Sequence, residues 1–92
     1  MPTIPELMSF DAVIRLGLMR TAAQELRIDE RTVSKHVNAL ERKSGSRLLE
    51  RVSGRYMPTA KGEEVARHAR HCLNAHRKVV LAILPAPYPY ES

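Results

Sequence analysis

Arg31, Ser34, Lys35 and Asn38 recur at helical spacing with Glu30 and Thr32 beside them, while Val33, Val37 and Leu40 repeat on the opposite side. Residues three and four apart share one face of a helix, so the polar set points outward as the apolar set packs inward. Glu30, Arg31, Ser34 and Lys35 fall within about one and a half turns. Their chemistry suits base edges: Arg and Lys donate to guanine O6 and N7, Glu accepts from cytosine N4, and Thr meets a thymine methyl group or a phosphate. A charged helix surface with no ligand has the same composition, so the decision rests on what positions this helix.

The positioning elements are legible in residues 17–45, GLMRTAAQELRIDERTVSKHVNALERKSG. Ala22, Ala23 and Leu26 give a helix over residues 19–27 a narrow apolar face, and Ile28 sits in a turn. Asp29 caps a second helix over residues 30–44, which Gly45 ends. Small alanines let one helix cross another closely. That is the helix-turn-helix pattern, whose second helix presents side chains to the major groove. Leu18 offers no capping oxygen to the shorter helix, a deficit of about 1 kcal/mol. Arg20 and Thr21, in the first turn of that helix, are placed to meet phosphate together with free backbone N–H groups.

Upstream, Thr3-x-x-Glu6 has capping-box spacing and opens a helix with Leu7, Phe10, Val13 and Ile14 on one side and Gly17 at its end. Downstream, residues 48–51 and 55–57 are predicted as short strands around a three-residue turn, Val52-Ser53-Gly54, with Gly54 suited to a left-handed conformation. A basic hairpin directly after such a helix is a wing. Pro58 closes it, Thr59 caps a last helix, and that helix runs to Leu84 before Pro85 stops it. Along it Ala66, Ala69, Leu73, His76, Val80 and Ile83 alternate three- and four-residue steps, the spacing of a coiled-coil seam. Residues 85–92, PAPYPYES, read as an extended, flexible tail.

The chain has 92 residues, 43% of them hydrophobic, with one Phe, three Tyr and no Trp. That bounds it to one small domain with a modest aliphatic core, for which oligomerisation is expected. Cys72 alone leaves no internal disulfide and fits a reducing cytosol. Residues 1–5 carry no secretory leader, and no uninterrupted apolar run of about 18 residues is present to span a membrane. The net charge of +5 is uneven: residues 1–30 hold three basic and five acidic groups, and residues 31–84 hold twelve basic and four acidic ones. A basic excess confined to the later segment is the footprint expected for a polyanion partner.

The order of helix, helix-turn-helix, wing and long helix resembles the N-terminal DNA-binding domain of LysR-type transcriptional regulators, over about residues 6–84. The marks are Phe10, Gly17 with Ala22-Ala23, Leu26 with Ser34, Leu40-Glu41, Gly45, Leu48-Leu49-Glu50-Arg51 and Thr59-x-x-Gly62. The resemblance implies that wing residues Arg51 and Arg55 insert beside the minor groove or clamp a phosphate. The Arg51 stem is also suited to packing under the hairpin. It further implies antiparallel pairing of the long helices. Two segments depart from the family pattern. Asp29-Glu30-Arg31 stands where the family places Ser-Gln-Pro, and Leu18 stands where it places a capping serine. The family's large effector-binding domain is not in this sequence, so no small-molecule effector site is expected in the chain.

His68, Cys72 and His76 repeat every fourth residue, with His71 beside them, and such pairs can bind Zn, Ni or Cu. Three ligands stacked along one helix cannot all converge on one ion, so no metal and no cofactor is expected. Glu63 and Glu64 are adjacent and point apart, and no Ser/His/Asp set or Gly-rich phosphate loop is present, so no enzyme is expected.

The sequence therefore predicts a mainly α fold. Residues 1–58 form a winged helix-turn-helix, a three-helix core with a short two-stranded wing. Residues 59–84 form a long dimerisation linker helix paired through Leu73, His76, Val80 and Ile83. The expected function is transcriptional regulation by a cytoplasmic, nucleoid-associated homodimer on pseudo-palindromic double-stranded DNA. Its contacts are Arg20, Thr21, Glu30, Arg31, Thr32, Ser34, Lys35, Asn38, Arg51 and Arg55. Two other readings use the long helix differently: a short interaction protein forming heterodimers with a full-length regulator, and a metal-responsive DNA-binding sensor.

Overall fold

Capping chemistry sets the helix boundaries. In the computed structural model, which describes residues 1–85, α1 covers Ile4–Leu16, α2 Met19–Leu26, α3 Glu30–Ser44 and α4 Ala60–Ile83. Thr3 and Glu6 exchange side chain-to-backbone bonds as a full capping box, and Gly17 ends α1 at φ +82°. Asp29 accepts from the Arg31 N–H at 2.7 Å to start α3, and Gly45 ends it in the left-handed region. Thr59 accepts from Gly62 N–H and donates to Arg47 O, so one hydroxyl starts α4 and ties it to the root of the wing. No side chain caps α2 at Leu18. That helix stops one residue short of the sequence expectation, because Arg27 turns to φ +58° and its N–H closes onto Ala23 and Gln24.

The wing departs from expectation in register. Strands β1 (Leu49–Val52) and β2 (Arg55–Pro58) pair antiparallel, with Val52 opposite Arg55, so the turn is the two residues Ser53 and Gly54. Both have positive φ, +52° and +81°. Such a turn matches the right-handed twist of its strands, and this outweighs the cost of a left-handed serine. Leu48, expected in the strand, precedes it fully buried.

The core lies where α1 crosses α2, α3 and the start of α4. Phe10, Val13, Val33 and Leu48 are fully buried, and Ala12, Ala22 and Ala23 let the backbones approach. Polar ties cross the same layer. Lys43 Nζ donates to both Glu6 carboxylate oxygens at 2.8 Å and to Met1 O at 3.0 Å. Ser9 Oγ, fully buried, lies 2.7 Å from His36 Nδ1. Arg15 joins Asp11 at 2.9 Å and reaches Glu25, fastening α1 to α2. Its guanidinium holds the Glu25 carboxyl below the usual 4.5.

Helix α4 divides in two. Ala66 and Ala69 are buried against the chain's own core, so the first part of the predicted seam is used internally, and Leu73 packs half-buried beside them. Gly62 sits against the Leu48 carbonyl, where any Cβ would collide with the oxygen. Beyond Leu73 the apolar residues become progressively exposed: Val80 is 37% exposed, Leu81 63% and Ile83 75%. The molecule is accordingly elongated, 57 × 23 × 18 Å. The predicted tail, apart from Pro85, lies outside the described residues.

Candidate nucleic-acid interface

The outward side of α3 is assembled by burial of its other side. Val33, Val37 and Leu40 enter the core, which leaves Glu30, Arg31, Lys35 and Asn38 exposed and Thr32 and Ser34 half-buried. The Asp29 cap fixes the first turn, so Glu30 and Arg31 start from a defined backbone. Glu41, at the far end of α3, accepts from the backbone N–H groups of Leu48 and Leu49 at 2.8 and 3.2 Å. One carboxylate thus sets where the wing leaves the helix. At the opposite end of the hairpin, Tyr56 N–H donates to Gly17 O at 2.8 Å, which ties β2 to the corner between α1 and α2.

These ties leave an open cleft of about 400 Å³ between α3 and the wing, lined by Ser34, Asn38, Arg47, Arg51, Tyr56 and Met19. A neighbouring cleft shares Met19, Ser34 and Tyr56 and continues to Glu30 and Arg31. The structure therefore brings together Glu30, Arg31, Ser34, Asn38 and Arg51 of the predicted set. Thr32, Lys35, Arg20 and Thr21 are not in the lining. Arg55 lies exposed across the end of α1: its guanidinium donates to Leu16 O at 3.1 Å, over the hydrogen side of Gly17, and so closes a terminal carbonyl of that helix. Arg51 lies over the Tyr56 ring, 4.7 Å from its centroid, and donates to Tyr56 Oη at 3.2 Å.

Arg47 and Tyr56 are lining residues that sequence reasoning missed. The basic excess of the later segment included Arg47, and the alternation of β2 could have placed Tyr56 opposite Arg51. Among the described residues, Arg31, Lys35, Arg47, Arg51 and Arg55 have no carboxylate partner, as is also true of Arg20, Arg27, Arg42, Arg67, Arg77 and Lys78, whereas Arg15, Lys43, Lys61 and Arg70 are paired. A field of unpaired cations beside a polar cleft suits a polyanion.

The predicted His/Cys face is exposed on α4, and no group of three or more potential ligands able to hold a metal ion occurs among the described residues. The described helices include none long and apolar enough to cross a membrane. The predicted dimerisation residues do not share one environment: Leu73 is half-buried against its own chain, whereas His76, Val80 and Ile83 are exposed.

Comparison with known proteins places this architecture. An uncharacterised HTH-type transcriptional regulator, y4mQ of Sinorhizobium fredii, is 35% identical over 71 residues, covering 77% of this chain and 24% of that protein. A probable hydrogen peroxide-inducible genes activator of Mycobacterium xenopi is 35% identical over 90 residues, covering 98% of this chain and 48% of its own length. The chain thus spans about a quarter to about a half of the length of these curated relatives. Among solved structures, oxidised Corynebacterium glutamicum OxyR superposes with a TM-score of 0.87 at 27% identity, over 92% of this chain and 28% of that one. The BenM DNA-binding domain in complex with catB site 1 DNA superposes at 0.80 with 28% identity, over 87% of this chain and 89% of that one. Residues 4–63 match the family described as bacterial regulatory helix-turn-helix protein, lysR family. The chain belongs to that LysR family and has its winged helix-turn-helix domain, the part that binds DNA in transcription regulation.

Proposed function

We propose that the protein is a cytoplasmic transcription regulator that binds a pseudo-palindromic DNA site as a homodimer, sequence-specifically. The observation that carries this reading is the unpaired cationic and polar face of α3 and the wing, presented by a helix whose other side is locked into the core. In this reading Glu30, Arg31, Thr32, Ser34, Lys35 and Asn38 meet the major groove. Arg20, Thr21, Arg51 and Arg55 meet the backbone or the narrow groove. Arg55 must leave Leu16 O, or share its remaining donors, to do so. The BenM complex, and that of the CbnR DNA-binding domain with DNA, support duplex DNA as the partner class.

The dimer reading rests on the exposed distal part of α4, where His76, Val80 and Ile83 continue the seam in exposed positions. Residues 59–84 then act as the linker between two copies of residues 1–58, and their pairing sets the half-site spacing. The test is selection of preferred duplexes from a random pool by the purified protein. The expected result is a motif with dyad symmetry. A motif without symmetry overturns the homodimer, and no enrichment overturns sequence-specific binding.

A further inference from the structure

In β2, Tyr56 stands opposite Arg51, and the hairpin turn closes on the pair Val52 and Arg55. In a two-residue hairpin the pair next to the turn exchanges backbone hydrogen bonds, so the following pair, Arg51 and Tyr56, does not. Two consequences meet at this position. The Tyr56 N–H faces away from β1, and it donates to Gly17 O at 2.8 Å. The two side chains also stand at the closer of the two cross-strand separations, where they interact directly.

The pair has the geometry of a held cation. The Arg51 guanidinium carbon is 4.7 Å from the ring centroid, its Nη1 donates to Tyr56 Oη at 3.2 Å, and its Nη2 reaches Gly54 O at 3.5 Å. A guanidinium has five donors, and these contacts engage two of them. The backbone that carries the ring is tied to the α1–α2 corner, and the ring lines the open cleft that Met19 and Ser34 also border. Arg51 has no carboxylate partner among the described residues, so its charge is not neutralised within the chain.

We infer that Tyr56 is a positioning residue for DNA binding: it holds the Arg51 guanidinium, through ring stacking and its hydroxyl, in the place from which Arg51 meets the DNA backbone. The inference rests on the DNA-binding reading above. An arginine side chain ordered in advance loses less rotamer freedom on association, and this raises affinity without adding a contact. Tyr56 therefore acts through Arg51 and touches no DNA atom itself.

The test is a double-mutant cycle on duplex affinity over a series of salt concentrations, with thermal unfolding of each variant as a control. The probe is the tightest-binding duplex recovered by the selection. Tyr56→Leu keeps an apolar filler and removes the platform. It is expected to weaken binding roughly threefold, the scale of an exposed cation–π contact, while leaving the salt slope unchanged because Arg51 is still charged. Arg51→Ala is expected to weaken binding further and to lower the slope by about one. In the Arg51→Ala background, Tyr56→Leu should have no additional effect on affinity. Tyr56→Phe, which keeps the ring, should retain most of the wild-type affinity.

Additive losses in the double variant would make Tyr56 a direct contact and overturn the positioning role. Wild-type affinity in folded Tyr56→Leu overturns it as well. A loss that appears equally with and without Arg51, and follows the unfolding temperature, reduces the pair to a hairpin brace. Failure of the wild-type protein to bind any duplex would instead overturn the DNA-binding reading itself.

Discussion

The chain up to Leu73 and the ten residues that follow it are built on opposite terms. In the first region every element is tied to another: Lys43 to Glu6, Glu41 to the start of the wing, Tyr56 to Gly17, Thr59 to Arg47. In the second, Val79, Leu81 and Ile83 remain exposed, and Val80 only lines an open cleft with Met8 and Leu26. An isolated helix end holds its shape poorly in water unless an apolar face is covered. One region covers its apolar residues with its own chain, and the other leaves them open to a second surface.

The largest effect that separates them is expected from Phe10→Ala. Phe10 is fully buried at the crossing of the helices, and its truncation should cost about 3–5 kcal/mol in urea-induced unfolding. A cost near zero would deny the first region its core. Val80→Asp should do the reverse. It should leave the unfolding of dilute protein unchanged within about 0.5 kcal/mol while removing about 1.5–3 kcal/mol of apolar burial at each copy of a dimer interface. Sedimentation should show the wild type as a dimer at tens of micromolar and the variant as a monomer. A monomeric wild type would show that the exposed end needs no cover.

Acid should act on the first region alone. The hydrogen bonds from Lys43, and then the Thr3 N–H, hold the Glu6 carboxyl below its usual 4.5. Its contribution is therefore complete above pH 4.5 and is lost as pH falls through the lowered value. Glu6→Gln should reduce stability at pH 7 by about 1.5 kcal/mol and flatten the decline of stability below that point. Denaturation at a series of pH values reads both. An unchanged acid limb would show that the α1–α3 tie is not what titrates.

The smallest change is a gain. Leu18→Ser supplies the oxygen that α2 lacks and should raise stability by about 0.5–1 kcal/mol, with no effect on self-association. Thermal unfolding and sedimentation together would check it. A fall in the midpoint would mean that the half-exposed leucine contributes more by packing than a cap returns.

What could be read in the sequence follows the range of the interaction. Thr3, Gly17, Asp29, Gly45 and Thr59 were all legible as caps because capping depends on residue type within one turn. The left-handed Arg27 and Ser53 were not, since neither residue type signals that conformation, and the wing turn was read one residue too long as a result. The cleft was half legible. Helical periodicity gave the face of α3, but Tyr56 and Arg47 enter it through ties to Gly17 and Thr59 that join residues distant in sequence. The α4 repeat shows the deepest ambiguity. Spacing reports that Ala66, Ala69 and Val80 share a stripe, yet the first two are covered by their own chain and the third is not.

The contact of Gly62 with the Leu48 carbonyl has a mechanical side. Helix α4, with its 24 residues, is about 36 Å long, and Gly62, Ala66, Ala69 and Leu73 seat its first half on the core. The ten residues 74–83 then form an arm of about 15 Å. A bend of roughly 10° at its root would carry the tip about 3 Å, close to one base-pair step of about 3.4 Å. In a dimer joined by its long helices, the tolerance for half-site spacing then resides in the stiffness of that arm, remote from every base.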